Sequence, residues 1–74
     1  MITAEQAKAM FEEMIAMKDR EYHFDQMAEI MTDDPFYVMI AVDNNGNQVF
    51  PGEVFPSIRK LDGALIDFSF PVTG

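Results

Sequence analysis

The sequence predicts a small α+β domain, helical in its first half and β-rich in its second, and three observations carry that prediction. Residues 3–31 contain no Gly or Pro and are rich in Ala, Glu, Gln, Lys and Met, the strong helix formers. Residues 36–42 are an almost unbroken run of aromatic, β-branched and other apolar side chains, the composition of a buried strand. Ile66, Phe68 and Phe70 alternate with Asp67 and Ser69, the period of a strand with one wet face.

Thr3 opens the helical segment, and Gln6 three residues later completes a capping-box pattern. The hydroxyl accepts from one orphan amide and the Gln side chain reaches back to another. Met10, Met14 and Met17, with Phe11 and Ile15 beside them, make the apolar stripe of an amphipathic helix. Glu5, Glu12 and Asp19 recur every seven residues on the solvated side. At about 100° per residue, Glu21 would then fall in the middle of the methionine face. Phe24, Met27, Ala28 and Met31 form a second stripe, rotated from the first by roughly a third of a turn. This phase slip predicts a break at 19–22, and so two packed helices over 3–18 and 22–31, or one kinked helix.

Pro35 disfavours helical backbone at Asp34 and ends the helical part. Two carboxylates at a helix C-terminus oppose its macrodipole, so either Asp33 or Asp34 closes a turn through its side chain or the loop faces a partner. Residues 36–42 are expected to be the central strand, covered on both faces. Asn45-Gly46 signals a two-residue hairpin turn, with Gln48-Val49-Phe50 returning. Asp43, Asn45 and Asn47 look like the start of a calcium loop, but Gln48 stands where that pattern needs Gly and Val54 where it needs a bidentate Glu. Val49-Phe50-Pro51 and Val54-Phe55-Pro56 form a near-repeat. Proline cannot donate to a ladder, so this stretch is an edge strand, a bulge or an ordered loop. Its phenylalanines either anchor it to the core or form an apolar patch. Residues 57–61 predict one helical turn capped by Ser57 and stopped at Asp62-Gly63, and residues 64–70 a third strand. The expected architecture is two helices on one face of a three-stranded, mainly antiparallel sheet, in a single domain over 1–74.

A chain of 74 residues buries only about 60% of the surface it exposes when unfolded. It has no cysteine, hence no disulfide and no thiolate metal site. Seven Met and seven Phe supply the core instead. No stretch approaches the about eighteen consecutive apolar residues of a membrane span. Met1-Ile2 leads directly into the capping box, which leaves no room for a secretory signal, and the expected compartment is the cytoplasm.

Residues that carry chemistry are few. His23 is the one histidine. No sequence pattern supplies it with a nucleophile and an orienting partner, and it lacks a second His or a Cys for a metal site. It is read as a surface or boundary residue. The pairs Glu12-Glu13 and Asp33-Asp34 would need a cleft for hydrolytic work. There is no phosphate-cradling glycine loop, and only Arg59-Lys60 are adjacent bases, which argues against direct nucleic-acid binding. A protein without enzymatic chemistry and without cofactor or metal is expected.

Charge is the remaining signal. Thirteen carboxylates against five bases give a formal −8, of which residues 1–35 hold −6. Such a surface keeps a protein soluble, repels nucleic acid and anionic membranes, and favours basic protein partners. Glu21, Asp25, Glu29 and Asp33 lie four apart. A helix rises about 6 Å over that interval, so the row is either a solvated helix face or an imitation of a phosphate backbone. The candidate partner-binding surface is Glu12, Glu13, Asp19, Glu21, Asp25, Glu29, Asp33 and Asp34.

In its brevity, its acid-rich segment over 12–34 and its α+β outline, the chain resembles the small acidic inhibitors that phages make against host defence, including anti-CRISPR and anti-restriction proteins. The resemblance implies binding to a basic, nucleic-acid-handling complex and blocking of its DNA or RNA site. Proteins of that class also act by holding subunits apart or forcing dimers. Two other expectations stand beside it. One is a homo-oligomer whose Met-rich helix face packs on a symmetry mate. The other is an immunity or antitoxin protein whose acidic helices and Asp33-Asp34 loop cover a basic nuclease site.

Overall fold

The computed structural model describes residues 1–18, 21–51 and 54–66. One helix, α1 (Ala4–Met17), packs on a sheet of β1 (Tyr22–Ile30), β2 (Phe36–Asp43), β3 (Gln48–Val49), β4 (Ser57–Arg59) and β5 (Leu65–Ile66). Every pairing is antiparallel. The order is β1-β2-β4-β5, with β3 also on β2. The α+β class is as expected, but with one helix among the described residues instead of two and five strands instead of three.

The capping box forms at the start of α1. Thr3 Oγ1 accepts from the Gln6 amide at 3.1 Å, and the Thr3 amide donates to Gln6 Oε1 at 2.8 Å. Ala7 and Phe11 are fully buried, with Met10, Met14 and Ile15 packed around them, so the first apolar stripe faces the sheet. Met17, in the last turn, stays 75% exposed.

The second predicted helix is strand β1, and a bulge explains the misreading. Tyr22 to Phe24 pair in register with Asp43 to Ala41, then the register shifts by one residue between Phe24 and Gln26, and pairing continues to Ile30 opposite Phe36. A bulge adds a residue to one strand. Here it turns the strand spacing Phe24/Gln26 into Phe24/Met27, which copies a helical period. Tyr22, Phe24 and Met27 pack against the core below α1. With a strand there, residues 31–35 join two strands, and no helix dipole meets Asp33 and Asp34. Thr32 makes that turn, its Oγ1 donating to the Asp34 carbonyl at 2.9 Å.

β2 is the centre of the sheet. β1 lines one edge, while β4 (at Phe36 and Tyr37) and β3 (at Ala41 and Val42) share the other. Tyr37, Met39 and Ala41 face α1 and join Ala7, Phe11, Val49, Phe55 and Ile58 in one core. Phe36 and Val38, which alternate with them, are buried on the opposite face. The strand is thus covered on both sides, as its continuous apolarity predicts.

The β2–β3 hairpin has a three-residue loop rather than two. The Gly46 amide donates to the Asp43 carbonyl at 3.0 Å, and the Asp43 amide to the Asn47 carbonyl at 2.9 Å. Gly46 sits at φ 82°, the left-handed position such a loop requires. Asp43 Oδ1 accepts from the Asn45 and Asn47 amides at 2.9 Å each, so this carboxylate holds the turn.

The predicted helical turn at 57–61 is also a strand. Ile58 pairs with both neighbours, Arg59 with β2 and Ser57 with β5, whereas an isolated helical turn is unfavourable to nucleate. Residues 60–63 make the β4–β5 loop, closed by the Gly63 amide on the Arg59 carbonyl at 2.8 Å. Of the two Phe-Pro pairs, Phe55 is buried and meets Tyr22 edge-on at 5.5 Å, while Phe50 is 70% exposed. Residues 67–70 of the predicted third strand lie outside the described residues, as does Asp19.

Candidate functional site: an acidic strand edge and its groove

The structure separates the candidate acids into two groups. Glu12 and Glu13 on α1, Glu21 ahead of β1, Asp25 at the bulge and Asp33 in the following loop are exposed, and none forms an ion pair within the described residues. Glu29 and Asp34 are used internally. The Lys60 ammonium donates to Glu29 Oε2 and lies 5.8 Å from the centre of the Tyr37 ring, within cation–π range. Arg59 Nε stands 3.1 Å from Asp34 Oδ2, out of line for a hydrogen bond, and its Nη1 is 3.5 Å from Asp62 Oδ2.

The evenly pitched helical row is therefore not present. Residues four apart on a strand are separated by roughly 13 Å at about 3.3 Å per residue, not by one helical turn. Alternation also carries Glu29 to the face of Tyr37, its cross-strand partner. Arg59 ends β4 and Lys60 begins the loop after it. The two neighbouring bases reach different acids, Arg59 meeting Asp34 and Asp62 and Lys60 meeting Glu29. That adjacency was the one sequence signal for these pairs. Asp62 lies three residues from Arg59, but Glu29 and Asp34 are far away in the sequence and carried no signal.

The pair has a defined pH signature. The hydrogen bond from Lys60 holds the Glu29 carboxyl below its ordinary value of 4.5, against a smaller opposing effect of burial. The same bond holds Lys60 above its ordinary 10.5. A depressed carboxylate contributes stability that is fully present above its unfolded pKa and is lost as pH falls through the folded one. A raised ammonium contributes below its unfolded pKa and loses it as pH rises through the folded one. The contribution is thus fully present between 4.5 and 10.5. Glu29→Gln should lower the melting temperature at pH 7, and the gap to the parent protein should close in melts recorded as pH falls below 4.5. A gap that persists at pH 2 would assign the effect to packing instead.

Beside the first half of β1 lies an open groove of about 370 Å³, lined by Glu12, Ile15, Tyr22, His23 and Phe24. Ile15, Tyr22 and Phe24 give it an apolar floor and Glu12 a charged wall. Lys8 sits 5.4 Å from the Phe24 ring centre. His23 Nε2 is 2.9 Å from Asn44 Oδ1. An amide oxygen only accepts, so Nε2 carries the hydrogen and the imidazole ties β1 to the hairpin loop. The groove can hold an apolar stem ending in a cation. Sequence reasoning missed it because the second helix was in the way.

Among the described residues no group of three or more His, Cys, Asp or Glu is placed to hold a metal ion, and no helix is long and apolar enough to cross a membrane. The fold and surface define a small α+β domain with an acidic strand edge. Compared with protein-family models, curated proteins and solved structures, the chain matches none.

Proposed function

We propose that this chain is a non-enzymatic binding protein of the cytoplasm that covers the basic, nucleic-acid-handling surface of a partner protein, as the phage anti-defence inhibitors it resembles do. The observation that supports this is how the charges are partitioned. Arg59 and Lys60 are spent on Glu29, Asp34 and Asp62, while Glu12, Glu13, Glu21, Asp25 and Asp33 stay exposed on α1, β1 and the loop after it. These exposed acids outnumber the exposed bases Lys8 and Lys18 of the same half of the chain, and a surplus of one sign steers a partner of the opposite sign. The homo-oligomer reading would use the Met-rich face of α1, of which Met10 and Met14 are partly buried against this chain's own core and Met17 is exposed.

The test is retention of a partner by the immobilised protein from host lysate, washed at about 0.05 M and about 0.5 M salt. A basic nucleic-acid-binding complex held at low salt, released at high salt and displaced by added DNA or RNA is the expected result, since exposed charge contacts are screened. Recovery of nothing but the protein itself would overturn the reading in favour of self-assembly.

A further inference from the structure

The longest strand of the sheet is also an edge. β1 spans Tyr22–Ile30; β2 occupies one side of it, and among the described residues no strand lies along the other. We propose that this edge of β1 receives an extended basic segment of the partner as an added strand, with a Lys or Arg side chain seated in the neighbouring groove. The inference rests on the acidic-binding reading and names the form the partner takes.

Three features converge on this occupant. An unpaired edge offers a row of backbone donors and acceptors to an incoming chain, and strand addition draws affinity from those bonds and specificity from pockets for alternate side chains. The groove borders Tyr22, His23 and Phe24 of that same strand. A basic side chain would lay its methylenes on Ile15 and Tyr22 and bring its head to Glu12, away from the Phe24 ring that the Lys8 ammonium already covers. Lys and Arg pack their stems in this way while keeping the charge at the rim. Glu21 and Asp25, both exposed, flank the lining residues.

The same features exclude a second copy of this chain. Self-pairing of β1 would bring two molecules of charge −8 together along an edge carrying Glu21 and Asp25, and like charges across a ladder are destabilising. The bulge after Phe24 interrupts the flat template that indiscriminate pairing needs. The charge along the edge disfavours acidic strands and favours a basic one.

The test is a titration of the isotope-labelled protein, followed by NMR and amide exchange, with four synthetic nonapeptides. One alternates Lys and Thr, one alternates Glu and Thr, and two repeat the first with N-methyl groups on every second residue in opposite phases. The Lys peptide is expected to shift the signals of Glu12 and Ile15 and to slow exchange of amides within Tyr22–Ile30, and the Glu peptide to leave the spectrum unchanged. A strand bonds a neighbour through alternate residues, so methylation in one phase should weaken binding by about tenfold or more and in the other phase should not. Equal affinity of all three Lys peptides, equal loss in both phases, perturbation away from β1, or no binding of the Lys peptide would each overturn strand addition. Any of these alongside a salt-sensitive basic partner from lysate removes this inference alone. Phase-dependent peptide binding without such a partner removes the parent reading alone.

Discussion

Replacing Phe11 by alanine should remove a large part of this chain's folding stability. Phe11 is fully buried and is among the largest side chains of the core, where α1 meets Tyr37, Met39 and Ala41. Phe→Ala at such a site costs about 3–5 kcal/mol through lost transfer energy and the cavity left behind. A domain of this size has about 4–11 kcal/mol in total, and this one has no disulfide to limit its unfolded state. The helix cannot stand alone, since fourteen residues are marginal for an isolated helix in water. Thermal melts followed by circular dichroism should show the transition lost or lowered by at least about 15 °C. Met17→Ala, in the same helix but 75% exposed, should stay within about 0.5 kcal/mol of the parent. A Phe11→Ala melt within a few degrees of the parent would mean that α1 is not held by its apolar stripe.

The second large effect concerns binding. The combined reversal Glu12→Lys, Glu21→Lys and Asp25→Lys should abolish retention of the basic partner while leaving the melt within a few degrees of the parent. These three carboxylates are exposed and make no ion pair among the described residues, so the fold loses nothing specific. Each exposed charge contact is worth up to about 1 kcal/mol. Three reversals together weaken binding on the order of a hundredfold, with further loss from slower association. Glu29 does not belong in this set. Glu29→Lys would place a second ammonium against Lys60 over the Tyr37 ring and lower stability, confusing a folding defect with a binding defect. Full retention of the partner by a folded triple variant would sink the acidic-surface reading.

What could be read from the sequence was what local chemistry decides. The Thr3–Gln6 capping box depends on residues three apart, and β2 declares itself by composition. Asn45-Gly46 marked the hairpin, though the loop holds one residue more than that signal implied, and the part Asp43 plays in holding it was not read. The failures share a cause in long-range pairing. Residues 22–30 carry apolar side chains at intervals that suit a helix as well as a bulged strand, and only the ladder to β2 decides between them. Ser57 has the chemistry of a helix cap but is buried in β4, paired with Ile66 of β5. The candidate acids were recognisable by type. Which of them are free was not, because that depends on Arg59 and Lys60 crossing to another part of the sheet.

The uneven sharing of β2 between its neighbours also divides the molecule in time. Eight residue pairs join β1 to β2, while β3, β4 and β5 each hold their neighbour by two, supplemented at one end by the Ile2 amide on the Lys60 carbonyl at 3.0 Å. Segments with few bonds open at lower free energy than the body they rest on. β5, paired to β4 alone and with Leu65 exposed, is therefore expected to open first, whereas Val49 of β3 and Ile58 of β4 are held by the core they share with α1. Glu12, Glu13, Glu21 and Asp25 lie on or beside α1 and β1, so the surface they form should outlast opening at the far end of the sheet.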